Sequence, residues 1–164
     1  MSNMWDVAKK IEEKSRDYYA KLAEESSITQ LEGVFRALSK EEQRHYDLFE
    51  MVQTGSVNTA ELVYGKTTEE AKAIFEKMRK ELTVPETIED AERIYRKAVE
   101  FERTSIEQYR KMLEEVADER TKAVIAFLIR EEERHERLME GLVVFARRPK
   151  QWLEDAEFYH LEEY

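Results

Sequence analysis

The chain has 164 residues, enough for one domain with a single core, and no cysteine, which excludes disulfides, thiolate catalysis, iron–sulfur clusters and Cys-ligated zinc. A formal net charge of −10 with no basic stripe argues against nucleic acid as a partner. Four Gly, two Pro and 39% charged residues point to an all-α protein of long solvated helices, and the absence of a secretory leader or an apolar run of about 18 residues predicts a cytoplasmic chain outside the membrane.

Trp5, Ala8, Ile11, Ser15, Tyr18, Tyr19 and Leu22 recur at helical spacing and predict a first helix from about Ser2 or Asn3 to Glu25, with Glu12 inside its apolar stripe. Ser27-Ile-Thr-Gln30 matches a capping box and should open a second helix that runs to about Gln53. Leu31, Val34, Phe35, Leu38, Glu42, His45, Leu48, Phe49 and Val52 mark its inner face. The bend near Ser26–Ser27 lies midway between Glu12 and Glu42. At ~1.5 Å per residue, both side chains then stand about 22 Å from the bend, at one level of an antiparallel hairpin.

Gly55 should end the second helix, and Ser56–Lys66 reads as loop. Thr67-Thr-Glu-Glu70 is a further capping box, predicted to open a short helix to about Leu82, which Val84-Pro85 breaks. Residues 54–86 thus form a long crossover between two hairpins, the first spanning about 3–53 and the second about 87–146. The third long helix should run from about Thr87 to Ala117, with Glu102 on its inner face. Asp118 is placed to cap the fourth, which runs to about Ala146 through Glu132 and His135. Residues 147–164 form an amphipathic tail containing Trp152, Phe158, Tyr159 and His160, and His160 reads as a surface residue.

The two hairpins repeat one another. A shift of ninety residues lays Glu12, Ser15, Tyr19, Glu42, Arg44 and His45 over Glu102, Ser105, Tyr109, Glu132, Arg134 and His135 without a gap. Two merely amphipathic hairpins would match in Glu and Leu, but not in His, of which the chain has three. A duplicated hairpin closed into an antiparallel four-helix bundle with pseudo-two-fold symmetry explains the match.

Each copy carries Glu-x-x-His, at Glu42/His45 and Glu132/His135, and i and i+3 share a helix face. Each is preceded by a Glu thirty residues upstream, Glu12 and Glu102. Four carboxylates and two imidazoles facing one core make the ligand shell of a two-metal carboxylate site. Two divalent ions would balance the four negative charges, and oxygen-rich ligation with one imidazole per ion suits iron or manganese. In the most economical arrangement Glu42 and Glu132 bridge, while Glu12 with His45 and Glu102 with His135 complete one ion each. Tyr19 and Tyr109 are either core packing or hydroxyls that hydrogen-bond a ligand carboxylate and deliver a proton or electron. Arg44 and Arg134 should point outward or pair with Glu.

At these residues the sequence resembles the ferritin-like di-iron carboxylate superfamily, and most closely its rubrerythrin branch. The similar segments are Glu12 with Tyr19, Lys21-Leu-Ala-Glu-Glu25, Glu41-Glu-Gln-Arg-His45, Glu102 with Tyr109, and Glu131-Glu-Glu-Arg-His135. The resemblance implies a ferritin-like bundle with a non-haem di-iron centre acting on hydrogen peroxide or dioxygen, and peroxide reduction in the rubrerythrin case. Rubrerythrins proper carry a four-cysteine rubredoxin-like domain, so electrons here would come from a separate donor such as a rubredoxin. The family's further carboxylate in the third helix is replaced by Ser105, and Gln43 stands where bacterioferritins place a haem-binding Met, so no haem is implied. An iron-handling protein without turnover and a hydroxylase of an organic substrate remain alternatives, and a homodimer is the expected assembly.

Overall fold

The computed structural model describes residues 3–63, 65–80 and 88–147, and every regular element among them is helical. Helix α1 spans Met4–Glu25, α2 Thr29–Thr54, α3 Lys66–Lys80, α4 Ile88–Glu115 and α5 Glu119–Arg147, with one 3₁₀ turn at Thr59–Glu61. The amphipathic tail and His160 lie outside the described residues.

Local chemistry explains most helix ends. Asn3 caps α1, its side-chain oxygen accepting from the Trp5 N–H. Gly55 closes α2 in the left-handed region at φ 72°, where its N–H bonds the Met51 and Val52 carbonyls. Asp118 caps α5, accepting from both the backbone N–H and the hydroxyl of Thr121 at 2.8 and 2.7 Å.

Both expected capping boxes fail. At the first bend Ser26, not Ser27, ties the chain: its hydroxyl bonds the Ile28 carbonyl at 3.1 Å and lies 3.3 Å from the Ile28 N–H. The N-cap position of α2 therefore falls to Ile28, which makes no side-chain cap. Helix α3 begins at Lys66, one residue before the expected box, so Thr67 and Thr68 lie within it. Thr68 is buried and faces the interior.

The most extensive packing joins α1 to α2 and α4 to α5, which are the two hairpins. They meet through α1 against α4 and α2 against α5. Tyr18 on α1 donates to the Ile94 carbonyl at 2.9 Å while Tyr109 on α4 reaches Glu12, so α1 and α4 run antiparallel. Helix α3 packs on α2 and touches α5.

The apolar interior divides into two clusters. One holds Leu22, Phe35, Leu38, Phe75, Tyr95 and Leu142, with Tyr19 at its border. The other holds Phe49, Ile106, Met112, Ile125 and Leu128, with Tyr109. Between them lies a band of buried polar side chains: Glu12, Glu42, His45, Glu102, Glu132 and His135. Phe49 is wholly buried, its ring 5.1 Å from Tyr109 and 6.3 Å from Trp5. We expect Phe49→Ala to cost ~3–5 kcal/mol, read from the denaturant midpoint, and a loss under ~1 kcal/mol would show that this end of the bundle is not a packed core.

Candidate metal centre

Six residues from four helices converge. On α2 and α5, Glu42 and His45 oppose Glu132 and His135, and their donor atoms all lie within 4.8 Å of one another. His45 Nδ1 lies 2.7 Å from Glu132 Oε1 and 3.6 Å from both Glu12 Oε2 and Glu42 Oε2. His135 Nδ1 lies 3.1 Å from Glu42 Oε1, 3.5 Å from Glu132 Oε2 and 3.8 Å from Glu102 Oε1. The rings stack at 5.4 Å with 16° between planes. Each imidazole thus meets its own helix's Glu, the opposite helix's Glu and the upstream Glu of its own hairpin. All six side chains are at most 1% exposed.

The tyrosines are both buried and hydrogen-bonded, but across the hairpins. Tyr19 donates to Glu102 and Tyr109 donates to Glu12. A helical side chain leans toward its own N-terminus. Tyr19 and Glu12 therefore lean the same way along α1, two turns apart. Glu102, on an antiparallel neighbour, leans toward Tyr19, and the pair meets.

Charge in this dry band is settled by protons when no cation is present. Burial raises the Glu12 and Glu102 carboxyls well above the ordinary 4.5, with the Glu132 and Glu42 charges adding respectively. Burial works against the imidazoliums, yet the Glu132 charge and the close approach of the Glu12, Glu131 and Glu132 carboxylates hold His45 well above 6.5. His135, facing the Glu132 carboxylate and hydrogen-bonded to Glu42, is pushed up to about 10. Burial also pushes Glu42 and Glu132 up, but the two imidazoliums outweigh it and both end below 4.5. Burial and the adjoining carboxylates raise both tyrosine hydroxyls, which keeps them protonated donors.

The donor set fits a pair of hard divalent cations. Glu12 Oε2, Glu42 Oε2, Glu102 Oε2 and both oxygens of Glu132 are buried without a hydrogen-bond partner, as is His45 Nδ1. The 2.7 Å approach of His45 to Glu132 is short but not aligned as a hydrogen bond. Orphaned carboxylate oxygens in a buried band are costly, and ions at their focus would satisfy them.

Two further carboxylates come into view only in the fold. Glu41 and Glu131 are buried at 2% and 0% exposure, and with His45 they form a second tight group. Each is paired with the arginine one turn along, Glu41 with Arg44 at 3.2 Å and Glu131 with Arg134 at 3.1 Å. Their signal was positional: i and i+4 place them on the imidazole's side of the helix. The crossover seals this end. Gly65 donates its N–H to Glu131 at 3.3 Å and lies so close to Glu41 that a Cβ there would fall on the carboxylate. Arg44 donates to the Val63 carbonyl, Arg134 pairs with Glu69, and Thr68 Oγ1 sits 3.2 Å from His135 Nε2. Ser105 bonds the Phe101 carbonyl at 3.0 Å, so no seventh carboxylate enters from that position.

Stability of the metal-free protein should follow these shifts. Protonated His135 contributes stability that is complete below 6.5 and is lost as pH rises through about 10. The lowered Glu42 and Glu132 contribute above 4.5 and lose their effect in acid. In chelator, the melting temperature should therefore fall between pH 6.5 and 10, and a flat profile over that range would show that the imidazoles are not held charged.

The chain matches the family model described as Rubrerythrin over residues 4–143. No curated protein and no solved structure matches it. No described helix is long and apolar enough to cross a membrane. A ferritin-like helical bundle whose buried Glu/His cluster is compatible with a di-iron site, and a family match over most of its length, establish that this chain belongs to the rubrerythrin family.

Proposed function

We propose that the protein holds two iron ions and reduces hydrogen peroxide with electrons from a separate donor protein such as a rubredoxin. Glu42 and Glu132 would be shared between the ions, Glu12 and His45 would complete one, and Glu102 and His135 the other. A manganese pair or a mixed pair fits the same donors. The observation that carries this reading is the convergence of four carboxylates and two imidazoles, with orphaned oxygens, in a centre at most 1% exposed. So closed a centre favours a small oxidant over an organic substrate.

The overall change takes one peroxide, two electrons and two protons to two waters. Metals bound in the centre would supply the electrons, which the donor protein would replenish. The chain's own residues exclude water, fix the donors and store protons. Tyr19 and Tyr109 each present a hydroxyl proton to a carboxylate oxygen, of Glu102 and Glu12 respectively, and burial keeps that proton in place until it is drawn off. The absence of cysteine supports a second reading, an iron-handling protein with no turnover, because these 164 residues hold no thiolate-ligated electron carrier.

Anaerobically reconstituted ferrous protein should bind two irons per chain and be oxidised faster by peroxide than by dioxygen. Faster oxidation by dioxygen, with uptake of many irons per chain, would replace this reading with the iron-handling one. Glu42→Ala and Glu132→Ala should each abolish two-metal binding, and wild-type stoichiometry in both would refute the ligand assignment. The Tyr19→Phe, Tyr109→Phe double variant should bind metal normally but react with peroxide about 10²-fold more slowly, the lower end of what a positioned proton donor contributes. An unchanged rate removes the tyrosines from the reaction.

A further inference from the structure

The duplicated hairpins predict that the two imidazoles see the same surroundings, and they do not. Both present Nδ1 to the central carboxylates, so Nε2 points outward in both. Behind His45, Nε2 is buried with no hydrogen-bond partner and faces the Glu131 carboxylate at 3.9 Å, with Glu41 in the same group. Behind His135, Nε2 meets the Thr68 hydroxyl at 3.2 Å. Thr68 belongs to α3, which has no counterpart among the described residues. The same crossover holds Glu131 in place through the Gly65 N–H, beside its bond to Arg134.

We propose that the two ion positions are inequivalent: the one completed by Glu12 and His45 is the tighter, and the one completed by Glu102 and His135 the weaker, because a carboxylate backs the first imidazole and a neutral hydroxyl the second. This rests on the two-metal reading of the centre. An imidazole whose outer N–H faces a carboxylate is a more basic ligand than one whose N–H faces a hydroxyl, and the buried negative charge adds attraction for the cation. Glu131 and Thr68 are positioning residues here, each acting through the outer nitrogen of an imidazole. A third ion in the outer group is not required, because Glu41 and Glu131 already have arginine partners. Without α3 the pseudo-two-fold axis would make the sites equal. The crossover therefore decides which ion is held more firmly, and which is the first to be lost or exchanged.

Anaerobic titration of metal-free protein with cobalt(II), followed by its d–d absorption and by calorimetry, should show two steps at least tenfold apart in Kd. Glu131→Gln should weaken the tighter step by roughly 10–100-fold and spare the other, while Thr68→Val should do the reverse and Thr68→Ser should restore it. Two equal steps, both variants acting on one step, or a Thr68→Val protein with wild-type affinities would overturn the proposal. Wild-type protein tests the inequivalence without any variant, should one not fold. One equivalent of ⁵⁷Fe(II) should give a single Mössbauer doublet, and the second equivalent a different one. A single unchanged doublet growing to two equivalents overturns the inequivalence, whereas no binding of either metal by wild-type protein sinks the two-metal reading itself and the proposal with it.

Discussion

Charge balance in a buried band across the bundle governs the rest of this structure. Four carboxylates and two imidazoles lie at most 1% exposed, and moving such groups out of water costs roughly several kcal/mol per ion unless each finds a counter-charge. Protons supply that balance without metal. The two imidazoles are held charged, Glu42 and Glu132 are held ionised between them, and Glu12 and Glu102 are pushed toward the neutral form. Two divalent cations would supply it instead by displacing those protons, so binding and protonation compete for the same oxygens. The two apolar clusters on either side give the bundle the packing that tolerates this band.

Antiparallel packing of α1 on α4 converts a local repeat into a cross-linked centre. Because helical side chains lean toward their own N-termini, a tyrosine two turns beyond a glutamate follows a carboxylate that leans away from it, yet it meets the glutamate of an antiparallel neighbour, which leans toward it. Tyr19–Glu102 and Tyr109–Glu12 are the result, one on each side of the band. Each hydroxyl closes one flank, joins the two hairpins, and leaves the second oxygen of its carboxylate unpartnered.

The crossover closes the outer side, and it does so unequally. Gly65 donates to Glu131 and lies so close to Glu41 that a Cβ would meet its carboxylate, Arg44 and Arg134 tie to Val63 and Glu69, and Thr68 reaches His135. Among the described residues the two-fold symmetry is incomplete, because the crossover has no second copy there to place opposite. The departure falls on the imidazoles' outer nitrogens, the atoms that tune their strength as ligands.

The six central residues, the helices that carry them and the matched levels of the two hairpins were legible in the sequence, because periodicity and equal spacing translate directly into helix faces and axial height. Asp118 and Gly55 were legible for the same local reason, since a cap depends on neighbours in the chain. The capping boxes at Ser27 and Thr67 misled for different reasons: a local bond from Ser26 to Ile28 ties the first bend, whereas the helix containing Thr68 starts early and turns that residue inward toward His135. Nor did spacing reveal that Tyr19 and Tyr109 would bond the opposite hairpin, or that Glu41 and Glu131 would be buried beside His45. Those contacts depend on which helices are neighbours and on the direction in which they run. Sequence alone determined what converges at the centre, and the tertiary structure decided what stands behind it.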